Sequence, residues 1–375
     1  MFSILRRLKN KYISMRGFHT KERLLVIESD DWGSIRMPSY ETFLRLQAKG
    51  DKPERDAFLS NDCLETEAEL ENLFSVLRSV TDSVGNPAVI TANFAMANPD
   101  FDSIDYMNGH YCYEPFYKTY CKYETRKNNL ALIKRAHNEK IFVPQLHCRE
   151  HLNIKRWMRD LSSLEPNVVL AFDEKTFGVG GCFSAKNAFG YMDAFNYDTK
   201  EDEIPLVEIL REAAEIFEST FGFASETFVA SCFVWGDYLE RHLRELGIYG
   251  IQSSEWQNVP QLKEGTEKMK RKLHFTGQRG KYGQIFSVRN CSYEPAYKQN
   301  PTQCREKCFK EIEAAFSQNK PAIINSHRFN YIGSINPSNA ENNLLELKKL
   351  LEDVVKAYPD IKFISSADMV KIMKG

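Results

Sequence analysis

The chain has 375 residues, 42% hydrophobic and 27% charged, which is enough apolar material for a packed core and too much for a disordered segment. Fifty Lys and Arg stand against fifty-one Asp and Glu, and a net charge of −1 gives no global attraction to nucleic-acid backbones or anionic lipid. The nine cysteines are scattered without C-x-x-C spacing, which argues against a zinc ribbon and predicts reduced thiols in a cytoplasm.

Residues 1–16, MFSILRRLKNKYISMR, set Arg6, Arg7, Lys9, Lys11 and Arg16 among Ile4, Leu5, Leu8 and Ile13. This basic amphipathic pattern could touch a membrane surface, although a starter helix packed on the body is the plainer reading. No run reaches the roughly 18 apolar residues of a membrane span, and no apolar signal core precedes a cleavage site. A cytoplasmic location is therefore expected, with membrane association through the N-terminal segment left open.

From residue 21 onward, short apolar runs alternate with longer stretches of helical period. Strands are expected at LLVIES (24–29), PAVITANF (87–94), IFVPQLH (141–147), NVVLAF (167–172), ETFVASC (226–232), YGIQS (249–253), GQIFSV (283–288), PAIINSH (321–327) and IKFISS (361–366). Helices are expected between them, at 65–80, 125–139, 205–221, 237–247, 303–319 and 341–358, where apolar residues recur at three and four. Runs buried on both faces with helices between them predict parallel strands and right-handed crossovers. The expected fold is α/β, a single domain over residues 21–375, with ligands at the C-terminal ends of the strands. No Gly-rich turn follows the first strand, where Asp30-Asp31-Trp32-Gly33-Ser34 stands, so a dinucleotide site is disfavoured. Two aromatic-rich segments, near 98–123 and 173–198, fit neither period and look like insertions over the strand ends. They could stack on flat ligand faces, although small satellite cores are commoner.

Polar residues collect at those strand ends. His147 and His151 follow the third strand as an H-x-x-x-H pair, which on a helix would turn two imidazoles to one face and one ion. Asp30 and Asp31 finish the first strand, and two adjacent buried carboxylates need a compensating cation. The alternative is that one of them caps a helix near Pro38 to Lys49. Cys148 reads as packing. His110, His137, His242 and His274 sit in contexts where surface or core roles dominate.

This order of motifs resembles the polysaccharide deacetylase (chitooligosaccharide deacetylase homology) family over residues 24–372. Ser29 to Gly33 is similar to that family's T-F-D-D-G motif with Trp32 inserted. His147-Cys148-Arg149-Glu150-His151 resembles H-S/T-x-x-H, Asn325-Ser326-His327 resembles L-x-H, and Phe363 to Val370 resembles the last strand and helix. The resemblance implies an irregular (β/α) barrel of about seven parallel strands and a divalent metal, zinc first with other transition metals open. It implies Asp31, His147 and His151 as ligands, Asp30 as general base and His327 as general acid. Trp32, Trp235 and Arg328 would bind substrate, an amino sugar or oligosaccharide. The implied reaction removes an N-acetyl group from an amino sugar or polysaccharide precursor.

Two motifs depart from the pattern. Cys232-Phe233-Val234-Trp235-Gly236 falls where the family has an R-P-P-Y-like motif, so the arginine that orients the catalytic Asp is missing, unless Arg149 or Arg328 replaces it. Glu255-Trp256 only echoes the family's Asp-Trp motif. An inactive carbohydrate-binding protein, a hydrolase of another C–N bond, and a two-His, one-carboxylate iron oxygenase are the rival functions. Oligomeric state stays open.

Overall fold

A computed structural model describes residues 16–177, 189–262, 269–297 and 300–375. The basic segment therefore lies, apart from Arg16, outside the described residues.

Nine strands form one sheet: β1 (Arg23–Trp32), β2 (Ile90–Ala95), β3 (Phe142–Cys148), β4 (Thr227–Val229), β5 (Gly250–Ser253), β6 (Ile285–Val288), β7 (Cys291–Ser292), β8 (Ala322–His327) and β9 (Ile361–Phe363). The order is β6-β5-β4-β3-β2-β1-β8-β7, with β9 against the start of β1, and every pairing is parallel. The two ends of that path are consecutive pieces of one segment. The Arg289 N–H donates to the Ser253 carbonyl (3.0 Å) and the Asn290 N–H to the Ile323 carbonyl (3.0 Å). The sheet thus curls round on itself as an irregular (β/α) barrel, with Arg289 at the seam.

Eight of the nine expected strand runs lie in this sheet. The exception, NVVLAF, is inside the helix Pro166–Asp173. A six-residue apolar run does not distinguish a strand from a buried helix, and Pro166 in the first turn was the signal to weigh. The expected helices form as Glu67–Ser79, Asn129–Asn138, Glu203–Phe221, Asp237–Glu245, Pro301–Ser317 and Pro337–Ala357. Thr66 and Glu69 close a capping box at the first of these. Helix Tyr40–Ala48 is capped by Ser39, whose hydroxyl accepts from the Thr42 N–H (3.1 Å), so Asp30 and Asp31 are not its caps. No helix among the described residues is long and apolar enough to cross a membrane.

Segment 98–123 folds as an antiparallel pair, Ala97–Pro99 with Tyr113–Pro115, followed by the helix Phe116–Cys121. Its Phe101 and Tyr111 pack edge-on against Trp157, which makes a satellite core rather than a cleft wall. Of the segment 173–198, residues 178–188 lie outside the described residues.

Candidate active site

The site is built where three strands end. The pairing of β1 with β2 shifts register between Ser29 and Trp32, and Asp31 stands at φ 75° inside this bulge. A left-handed backbone is unusual for a non-glycine residue and here re-aims the carboxylate across the barrel mouth. Gly33 follows at φ 76°, where an added Cβ would lie 2.7 Å from the Ala95 carbonyl oxygen. The inserted Trp32 is the other product of the bulge: it is buried edge-to-face with Phe142 at 4.8 Å and donates its N–H to the Ser29 hydroxyl (3.0 Å).

His147 is the last residue but one of β3 and His151 lies in the turn before helix Ile154–Ser162, so the pair meets through a turn and not on the helical face expected from its spacing. His147 Nε2 is 3.5 Å and His151 Nε2 3.2 Å from Asp31 Oδ1. All three residues are buried, and their candidate ligand atoms lie within 4.8 Å of one another. The Val229 carbonyl, 2.8 Å from His147 Nδ1, can only accept, which puts a proton on Nδ1 and leaves Nε2 as the nitrogen turned to Asp31. Burial holds the His151 imidazole down to about 3 against the pull of Asp31, so that ring is neutral. Asp31 Oδ1 and His147 Nε2 are both buried without a hydrogen-bond partner. Acceptors facing one another in a buried site fit a cation between them, and one carboxylate with two imidazoles is a donor set for zinc or a related divalent metal.

Asp30 points to a different neighbour. Arg289 grips it with a two-pronged fork, Nη1 to Oδ2 and Nη2 to Oδ1, each 2.7 Å, while Nε donates to Glu28 Oε2 at 2.7 Å. Asn93 adds an N–H to Oδ1 at 2.7 Å. Burial would raise the Asp30 carboxyl, but the guanidinium outweighs it and holds the group down to about 2. The arginine absent at position 232 is thus supplied from the β6–β7 seam. Neither candidate named from the sequence supplies it. Arg149 pairs with Glu150 and Glu212, and Arg328 is fully buried against Asp62 (2.7 Å) and Glu65 (2.8 Å). Cys232→Arg is expected to leave the acid limb of a pH–rate profile in place, because Asp30 already has its cation and the longer side chain would enter the cavity that Cys232 lines. Activity gained at mildly acidic pH would show instead that Asp30 lacks a cation.

His327, at the end of β8, donates from Nδ1 to Glu294 Oε1 at 2.6 Å, and its Nε2 is 4.0 Å from Asp30 Oδ2. Asn325 and Asn330 each donate to Glu294 at 2.7 Å, which fixes that carboxylate. Burial would lower the imidazole, yet Glu294 first, then Asp31 and Asp30, lift it to about 9. Glu294 belongs to none of the motifs read from the sequence, and Glu255-Trp256, which only echo the Asp-Trp motif, lie elsewhere. Those two residues begin the hairpin formed by Trp256–Val259 and Lys270–Leu273 and do not line this cavity.

The cavity above these groups has a volume of about 640 Å³ and contains Asp30, Asp31, His147, His151 and His327 in its lining. Phe58, Phe233 and Tyr297 supply flat walls, and Phe189 and Met192 come from the second aromatic insertion. The expected substrate contacts of Trp32, Trp235 and Arg328 are corrected: each is at most 1% exposed and none lines the cavity. Trp235 stacks on His274, and Arg328 is an internal ion-pair residue. Cys148 is fully buried, as packing requires.

No family model matches the chain, and no curated protein matches it. Among solved structures it is similar to a putative polysaccharide deacetylase from Mycobacterium smegmatis (11% identity, 96% of this chain and 94% of that one, TM-score 0.48). It is also similar to a probable polysaccharide deacetylase from Pseudomonas aeruginosa PAO1 (9%, 94% and 91%, TM-score 0.49). A third is PuuE allantoinase (10%, 95% and 93%, TM-score 0.46).

Proposed function

We propose that the protein is a metal-dependent amide hydrolase that removes the N-acetyl group of an amino sugar or polysaccharide precursor. The observation that carries this is the meeting, in one cavity, of the Asp31-His147-His151 cluster with a carboxylate held by arginine and an imidazole held by glutamate. A divalent metal, zinc first, would be held by Asp31, His147 and His151 and would supply Lewis-acid polarisation of the acetamide carbonyl and acidification of the attacking water.

The protein's own groups do the rest. Asp30, kept ionised by Arg289, accepts the proton of the water as its oxygen adds to the carbonyl carbon. His327, kept protonated by Glu294, donates from Nε2 to the departing nitrogen, so the C–N bond breaks to a free amine and acetate. Phe58, Phe233 and Tyr297 present faces on which a sugar ring can stack. The retained pairing of base and acid favours a hydrolase over a binding protein, because a site without chemistry has no need for opposed proton states in two adjacent groups.

Two measurements test this: metal content of the full-length protein purified without chelator, and acetate release from N-acetylated sugars. About one divalent ion per chain is expected, with Asp31→Ala and His147→Ala each losing it while the protein stays folded by circular dichroism. Wild-type metal content in both variants, or no acetate from any N-acetylated sugar with metal present, would remove the proposal.

A further inference from the structure

The carboxylates around the cavity already have partners. Arg289 takes Asp30, Asp31 Oδ1 faces the two histidines, and Asp56 accepts the backbone N–H groups of Phe58 and Leu59 as a helix cap. The guanidinium groups on the same wall are less fully engaged. Arg36 is only 5% exposed; its Nη2 reaches Asp31 Oδ2 at 3.4 Å, and its Nε stands 3.6 Å from Asp62 Oδ2 without making a hydrogen bond. No acceptor among the described residues takes its Nη1. Its guanidinium lies 4.3 Å from the centre of the Phe58 ring, which fixes its plane beside an aromatic wall. Arg55 is exposed and lines the same cavity, while its neighbour Glu54 accepts from Gln47. A buried guanidinium with unused donors, in a cavity that a second arginine also lines, suits a carboxylate or phosphate, whose oxygens match the planar fork.

We propose that Arg36 and Arg55 form an anion-binding subsite of this cavity, so that the substrate is an N-acylated amino sugar carrying a carboxylate or phosphate group. The inference rests on the hydrolase assignment of the same site and narrows its substrate class. The Phe58 ring touches both the Arg36 guanidinium, 4.3 Å from its centre, and the His327 ring, with centroids 5.5 Å apart.

Calorimetry on the full-length protein tests this with three amino sugars of the product type: glucosamine, glucosamine 6-phosphate and 2-amino-2-deoxyglucuronate. At least one anionic sugar is expected to bind about tenfold or more tightly than glucosamine at low salt, as charge-assisted hydrogen bonds require. Which of the two binds distinguishes phosphate from carboxylate. Anions can also reach a bound metal, so the preference is read in Arg55→Gln, which touches no candidate ligand, and in Arg36→Gln. It should fall to about two- to threefold in each. Equal binding of all three sugars, binding of none, or a preference that survives in Arg55→Gln would overturn the subsite. Acetate release from neutral N-acetylglucosamine with no anionic preference would overturn it while leaving the hydrolase standing. An arginine-dependent preference without acetate release from any sugar would support the subsite and sink the hydrolase.

Discussion

Arg289→Met is expected to lower kcat/KM for an N-acetylated sugar about 10²–10³-fold, within the roughly 10²–10⁴-fold that a positioned general base contributes. The guanidinium is the largest force keeping Asp30 ionised, because burial works in the opposite direction. A base must be deprotonated to act, so activity is lost as pH falls through its pKa. Raising that pKa from about 2 moves the acid limb to higher pH. The same substitution leaves two buried carboxylates, Glu28 and Asp30, without their shared cation. Removing one partner of a buried ion pair costs about 3–5 kcal/mol, which a denaturant titration would register. Arg289→Lys keeps the charge without the fork and should fall between the two. Metal content should hold in both variants, since Arg289 contacts none of Asp31, His147 and His151. A variant with wild-type rate and an unmoved acid limb would show that Asp30 is not the base.

Arg289 and Glu294 also mark the limit of what the sequence reveals. Asp30, Asp31, His147 and His327 were legible because each ends an apolar run, and in a parallel α/β fold such ends share one rim of the barrel. The residues that hold them in place have no such signature. Arg289 follows the run GQIFSV, and its importance depends on a partner switch from Ser253 to Ile323 that periodicity does not encode. Glu294 lies in a loop and reaches His327 only through the folding of the chain between them. The arginine that the resemblance placed at Cys232 comes instead from position 289, and Glu294 matches none of the motifs, so a motif search finds neither. Spatial replacement is open to such groups because a second partner needs only to deliver charge and hydrogen bonds to the right atom. Trp32 failed as a substrate contact for a related reason: an aromatic beside the Asp pair looks exposed in sequence, whereas the bulge at Ser29 to Trp32 turns it into the core.

Glu294→Gln should suppress the other half of the proton traffic. The carboxylate holds His327 Nδ1–H at 2.6 Å and is the main reason the half-buried imidazole stays protonated, lifting it to about 9. Glutamine keeps the size and can still accept that hydrogen bond, but it carries no charge to stabilise the imidazolium. The pKa therefore falls. A general acid must be protonated to act, so activity is lost as pH rises through its pKa, and the alkaline limb moves to lower pH. At pH 8 and above the rate should drop about 10–100-fold, while near pH 6 the loss should be smaller, because more of the imidazole is protonated there. That pH-dependent ratio separates a lost charge from simple misplacement of the ring, which would cut the rate equally at every pH. Glu294→Ala adds the misplacement and should be worse than Glu294→Gln throughout. A chemically activated substrate whose leaving group departs without a proton should escape the effect, since only the step at the departing nitrogen uses His327 Nε2. Equal losses on both substrates, with an alkaline limb unmoved in Glu294→Gln, would assign His327 to binding rather than to proton donation.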